Sequence, residues 1–559
     1  MTDPQTLNDD VLQELERGSV EKATSLLDQG LKKWPGSLRL KLTRSDVLIR
    51  AGAREEAAEH LAALLDREEA ARWAGPRLLT LVKEQPLPAE VAGRLVKPVA
   101  AGALEERVKT QLLDALLAGR DAETRVAWLE PVARGAGLFR LEWLLAVALT
   151  ESCRLEEAVA LLEESRLAGR GTARSLLLEA ELRAAGGHPE AALDILRDVT
   201  RDHPELPDGF RRRIAIARRA CRFDECAAVL EEALGKWPGD WSFPYLMNRV
   251  PLAPAALSRL FPMLEAAAAA PGRTERFAFQ YALAALHAVR LEEAVKVLGS
   301  GFAEPTVAYM AGPVAAALAA RDPEAWRAGS RLVDDRTRDV LVTRAEGAEA
   351  TFVLTTGMAF GYLPLPLIDT LFAEQRVNVI YLRDFRNLAY LRGVTSLGPD
   401  EASTIAALRG LIGELGARRL VVVGASLGGY SSLRYGALLG ADAAVSFSGR
   451  TTLEDGLAEA RPTIWNPAFF VRQMWLAQGE LPRDLVPVLA GAPEMEVLHI
   501  HSAGAAEDVA QAQRIAQLPN VRLHAVPGVS DHYAVDHMIG DGSFGALIAA
   551  LRDGRRWEA

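Results

Sequence analysis

The spacing of apolar and polar positions changes once along this chain, near residue 335. Before that point the pattern is helical. Runs such as Ala158-Val159-Ala160-Leu161-Leu162 set apolar side chains on faces that neighbouring helices can bury. The stretch Ala320–Arg338 is charged and reads as a helix running into a linker. Beyond it come short β-type runs: Val340-Leu341-Val342, Thr351-Phe352-Val353-Leu354-Thr355, Val377–Leu382, Leu420–Val423, Ala443–Phe447, Val497–Ile500 and Val521–Val526. Helical stretches separate most of them. In one, Ile405, Leu408, Ile412 and Leu415 share a face, and Gly416 follows as a C-cap. Short apolar strands alternating with amphipathic helices predict a doubly wound, mostly parallel sheet over residues 336–559, with ligands bound at the carboxyl ends of its strands.

The helical part, residues 1–325, carries an internal repeat. A small residue follows a polar, often glutamate-rich turn at Ala23, Ala57, Ala158, Ala192, Cys226 and Ala294. Ala23 and Ala57 are 34 residues apart, as are Ala158 and Ala192, and Ala192 and Cys226; Cys226 and Ala294 are 68 apart, and Ala57 and Ala158 are 101 apart. Proline follows the small residue at Pro35, Pro204 and Pro238, twice directly after tryptophan, Trp34 and Trp237. A small residue early in the second helix of a hairpin lets neighbouring helices approach, and the proline stops that helix. The pattern resembles the tetratricopeptide repeat over about residues 8–300, with degenerate units near 65–150 and 240–275. The resemblance implies an all-α solenoid whose concave face takes a protein, a peptide or the chain's own second domain, with a rigid spacer or dimerisation arm as the alternative. On this pattern Cys226 is a small buried packing residue.

Composition narrows the function classes. A chain of 559 residues exceeds one ordinary core, and 49% hydrophobic with 25% charged residues is a globular balance. The net charge of −10 argues against nucleic acid as the main partner. Three cysteines, Cys153, Cys221 and Cys226, show no paired metal spacing and make a poor disulfide framework, which fits a reducing compartment. Met1-Thr2-Asp3-Pro4 is polar and acidic rather than a signal peptide, and no apolar run, including Ala266–Ala270, is long enough to span a membrane. The expectation is a cytoplasmic protein without a cofactor or metal.

The chemistry concentrates in Gly424-Ala425-Ser426-Leu427-Gly428. The pattern GxSxG is weak alone, but here a buried strand, Leu420–Val423, precedes it and a helix opens at Leu427. A serine on such a turn is held with its hydroxyl above the sheet, beside the positive end of a helix. In this context the sequence resembles the α/β-hydrolase superfamily over residues 336–559. The resemblance implies a serine nucleophile, Ser426, followed along the chain by an acid and a histidine. It also implies an oxyanion hole from the amide of Leu427 and a second amide in Gly357-Met358-Ala359, with Met358 preferred and Ala359 close behind. His532, just past the strand Val521–Val526, is the candidate base, and His537 the other. Asp508 and Glu507 follow the preceding strand; Asp508 is preferred as the triad acid over Glu507, Asp531 and Asp536, and helix capping is the competing use of these carboxylates. His499 and His501 share one face of a strand but have no evident third metal ligand.

Two stretches bear on substrate. Trp465, Phe469, Phe470 and Trp475 suit a lid, a pocket wall or a packed helix. Arg383, Arg386 and Tyr390, at the carboxyl end of the Val377–Leu382 strand, suit a substrate-binding segment, with Arg383, Arg386 and Arg392 able to receive an anionic group. The leading expectation is a serine hydrolase of esterase, thioesterase or peptidase type, acting through an acyl-enzyme while the repeats recruit a protein or peptide. An acyltransferase with the same triad, or a noncatalytic scaffold on a relic hydrolase fold, are the alternatives.

Overall fold

The computed structural model describes residues 3–134, 139–453 and 484–558. The chain divides into two compact units, Met1–Glu179 and Ala180–Ala559.

The first unit is built from antiparallel helix pairs, beginning with Pro4–Glu16 and Val20–Lys33, then Leu38–Arg50 and Arg54–Ala62. The repeat arithmetic has a direct structural cause. Ala23, Ala57 and Ala158 are each the fourth residue of the second helix of a pair, and each is fully buried. Any larger side chain there would hold the neighbouring helix away. The degenerate stretch is helical too: Ala92 is the buried fourth residue of Ala89–Ala101, whereas in Ala122–Ala133 the buried residue is the fifth, Val126. Its signature is blurred because prolines sit inside the helices at Pro76, Pro98 and Pro131 rather than after them.

The second unit opens with more such pairs, and Ala192, Cys226 and Ala294 again occupy the fourth position of Pro189–Asp202, Phe223–Lys236 and Leu291–Gly299, fully buried. In each unit the helix pairs are tetratricopeptide-like. Cys226 packs as expected, its thiol pushed up to about 12 by burial.

The sheet follows. Its strands are β1 (Val340–Thr343), β2 (Ala350–Thr356), a two-residue hairpin of β3 (Ala359–Phe360) and β4 (Leu363–Pro364), then β5 (Asn378–Arg383), β6 (Arg419–Ala425), β7 (Ala443–Phe447), β8 (Glu496–Ser502) and β9 (Val521–Val526). The main sheet runs β1-β5-β2-β6-β7-β8-β9, parallel except for β1. Helices cover both faces. Val353, Ile380 and Val422 pack under Leu408 and Leu433 on one side. On the other, Phe352 meets Phe372 at 5.3 Å between ring centroids, and Phe372 meets Phe544 at 6.0 Å. The helix anticipated around Ile405 spans Glu401–Leu415, opened by a capping box of Asp400 and Ser403 and closed by Gly416 in the left-handed conformation.

From β2 the chain moves outward to β5, then crosses back over β2 to lay down β6. This reversal separates the loops that leave β2 and β6 and opens a crevice between them. The helical pairs of the second unit pack against this sheet-bearing part. Arg336 donates to the carbonyls of Asn248 and Val250, Phe223 meets Phe385 at 5.1 Å, and Phe279 meets Tyr362 at 5.5 Å. No described helix is long and apolar enough to cross a membrane. The aromatic stretch with Trp465, Phe469, Phe470 and Trp475 lies outside the described residues.

Candidate active site

Ser426 stands between β6 and the helix Leu427–Leu439 with φ +57° and ψ −124°, a conformation that L-residues rarely adopt. Two glycines make this turn possible. A Cβ at Gly424 would come within 2.1 Å of the Gly428 carbonyl oxygen, and one at Gly428 within 2.3 Å of the Thr355 carbonyl oxygen. The elbow is thus pressed against the end of β2, and Thr355 Oγ1 ties the two by donating to the Gly428 carbonyl at 2.7 Å. Ser426 itself is exposed.

His532 lies in the loop after β9. Its Nε2 is 2.9 Å from Ser426 Oγ, and its Nδ1 is 2.8 Å from Asp508 Oδ1. A carboxylate only accepts, so Nδ1 carries the proton and Nε2 is left to accept from the serine hydroxyl. Asp508 is the third residue of the helix Ala506–Ile515 after β8 and is 4% exposed. Burial alone would raise its carboxyl, but hydrogen bonds, foremost that of His532, hold it below the usual carboxylate value. The helix has no side-chain cap, and Glu507 turns outward to pair with Arg450. Three expected residues, each following a different strand, therefore meet in one hydrogen-bonded line.

The other candidates are placed as follows. His537 sits 3.9 Å from Asp531, with its ring centroid 5.6 Å from that of Tyr309 in a tilted arrangement. Asp536 is buried, and its Oδ1 accepts from the Tyr362 amide at 2.7 Å. Burial, with some help from the Asp531 charge, pushes its carboxyl up to about 8. Leu427 is the first residue of its helix, so its amide has no intrahelical acceptor. Met358 is buried in the loop after β2, on the neighbouring strand end. His499 and His501 have ring centroids 6.0 Å apart, and burial pushes His499 down to about 3, which keeps it neutral. No group of three or more metal-ligating side chains occurs among the described residues.

The structure does not bring Arg383 to this site. Its guanidinium is 1% exposed and held by both oxygens of Asp334 at 2.8 Å, so it braces the sheet edge instead of receiving an anion. Arg386 is half-buried and interacts with the Cys221 thiol. Tyr390 does line the site, but its hydroxyl is engaged with the carbonyls of Thr356 and Leu382, each at 2.6 Å. It fixes the loop and leaves little to offer a ligand.

A cavity of about 200 Å³ opens over Ser426 and His532, walled by Gly357, Ala359, Asp384, Asn387 and Tyr533. A second, of about 400 Å³, shares Gly357, Ala359, Gly361, Asp384 and Asn387 with it and extends beneath the helices. Its far wall carries Arg218, Arg219 and Arg249, which sequence reasoning did not single out.

Strand order and the strained elbow at the switch point decide the architecture of the sheet-bearing part. It is an α/β-hydrolase fold. No family model matches the chain, and no curated protein matches it. Among solved structures it is similar to MenH from S. aureus, at 12% identity and TM-score 0.27, over 39% of this chain and 98% of that one. A carboxylesterase structure from the thaumarchaeon Nitrososphaera gargenis is similar at 18% identity and TM-score 0.27, over 38% and 96%. A tetratricopeptide repeat protein from Parabacteroides merdae is similar at 11% identity and TM-score 0.22, over 54% and 95%.

Proposed function

We propose that this protein is a serine hydrolase that cleaves an ester, thioester or amide through an acyl-enzyme on Ser426. The observation that carries the reading is the unbroken line from Ser426 Oγ through His532 to Asp508, on an elbow held in strained geometry. In this reaction Ser426 Oγ attacks the acyl carbon as its proton passes to His532 Nε2. Asp508 holds the imidazole tautomer and stabilises the imidazolium. The carbonyl oxygen becomes an oxyanion, received by the Leu427 amide and a second amide in the Gly357–Ala359 loop, for which Met358 is the candidate. His532 returns the proton to the leaving group, and water, activated by the same imidazole, releases the acid. The helical repeats would recruit a protein or peptide, either a partner or the substrate itself.

A fluorophosphonate probe tests this directly. Wild type is expected to be labelled, with label lost in Ser426→Ala and reduced by orders of magnitude in His532→Ala, but kept in His537→Ala. Absence of Ser426-dependent label on folded protein overturns the reading. Label that survives in His532→Ala but vanishes in His537→Ala moves the base to His537.

A further inference from the structure

The cavity that continues from the Ser426 site has an electrostatic character that the triad does not use. Three guanidiniums line it: Arg218 and Arg219 at the end of the helix Pro207–Arg219, and Arg249 just past Ser242–Met247. Asp384 is the sole carboxylate among the described lining residues. It is already occupied, since its Oδ2 accepts from the amides of Leu388 at 2.5 Å and Tyr390 at 3.0 Å.

None of the three arginines makes an ion pair with a described carboxylate. Arg218 donates to the Arg249 carbonyl at 3.3 Å, Arg249 donates to the Tyr245 carbonyl at 3.3 Å, and the Arg249 guanidinium lies 3.7 Å from the centre of the Tyr245 ring. The Nε atoms of Arg218 and Arg219 are buried without a partner. Glu181, whose charge reaches Arg219, is hydrogen-bonded to Arg212 at 2.8 Å. Other arginines of the repeat helices are paired: Arg197 and Arg213 share Glu225, and Arg211 reaches Asp240.

Arg218, Arg219 and Arg249 are half-buried, and like charges drawn partly out of water without a counterion are unfavourable. Burial lowers the proton affinity of Arg218 and Arg219, and the neighbouring guanidiniums lower it further, Arg219 reaching about 10. Arg219 thus remains charged at neutral pH. His287, on the same wall, is held neutral by burial. An anion is the ligand that relieves this arrangement, and planar guanidinium forks suit carboxylate and phosphate oxygens.

We infer that Arg218, Arg219 and Arg249 form the recognition site for an anionic group on the substrate, so that the preferred substrate is an acyl compound with its scissile carbonyl at Ser426 and a carboxylate or phosphate in the helical cavity. The inference rests on the hydrolase reading. It assigns to the repeat helices of the second unit a part in substrate selection: they supply the wall that the α/β-hydrolase fold leaves open.

The test compares two p-nitrophenyl esters of equal acyl length, the neutral hexanoate and the monoester of adipic acid, on the full-length protein. Wild type is expected to favour the adipate ester in kcat/KM by roughly tenfold or more, the size of one or two charge-assisted hydrogen bonds. Arg218→Gln and Arg249→Gln are expected to collapse that ratio toward one. A second arm needs no variant: millimolar adipate or inorganic phosphate should slow fluorophosphonate labelling of wild type more than hexanoate does, and whichever slows it more identifies the anion. A wild-type ratio of one or below, or labelling that neither anion slows, overturns the inference. With Ser426-dependent labelling intact, that result leaves the hydrolase reading standing; loss of labelling removes both.

Discussion

At the scale of single residues, the site depends on what each side chain is bonded to. The hydrogen bond from His532 to Asp508 fixes which imidazole nitrogen faces Ser426. Asp508→Asn should leave the fold intact while presenting the wrong tautomer, lowering the labelling rate by roughly 10³–10⁴-fold; a stopped-flow or competitive labelling assay reads this. Asp536 gives a stability prediction instead. Folding raises its carboxyl from 3.8 to about 8, so its contribution is full below the unfolded value and is lost as pH rises through the folded one. Asp536→Asn keeps an acceptor for the Tyr362 amide and cannot ionise. Urea unfolding midpoints should then depend less on pH, between about 4 and 8, than in wild type. The sequence showed Ser426, Asp508 and His532 because each follows a strand, and strand ends converge in a parallel sheet. It did not show Arg218, Arg219 or Arg249, which carry no mark beyond helical spacing and reach the cavity only through tertiary packing. Arg383 stood out for its place at a strand end, but sequence position could not reveal that Asp334 neutralises it.

At the scale of elements, the small residue of each repeat is the controlling feature. Ala192 is fully buried at the fourth position of its helix, where the partner helix leaves no room. Ala192→Leu should destabilise the protein by about 1–3 kcal/mol through overpacking, measurable as a lower denaturation midpoint. Exposed positions of the same helix, such as Asp194, should tolerate substitution within roughly 0.5 kcal/mol. Strand and helix positions were legible here because periodicity and caps act locally, as at Gly416. Strand order was not. The pairing of β2 with both β5 and β6 comes from a crossover that no local pattern encodes.

At the scale of the whole molecule, the hydrolase part and the helices of the second unit share a boundary built from Arg336, Phe385 and Tyr362. A fragment beginning at residue 336 would expose these contacts to water and lose the arginine wall. It is expected to melt at a lower temperature than a fragment spanning 180–559, by calorimetry, and to label more slowly. The elbow carries a last consequence, in time. Thr355 and Gly428, which clasp it, are 73 residues apart, and Ser426 and His532 are 106 apart. Helical hairpins close among near neighbours, whereas such distant pairings form late. The proposed nucleophile gains its base only once β9 has joined the sheet, so a chain emerging from the ribosome stays chemically silent until the segment through His532 has been made and folded.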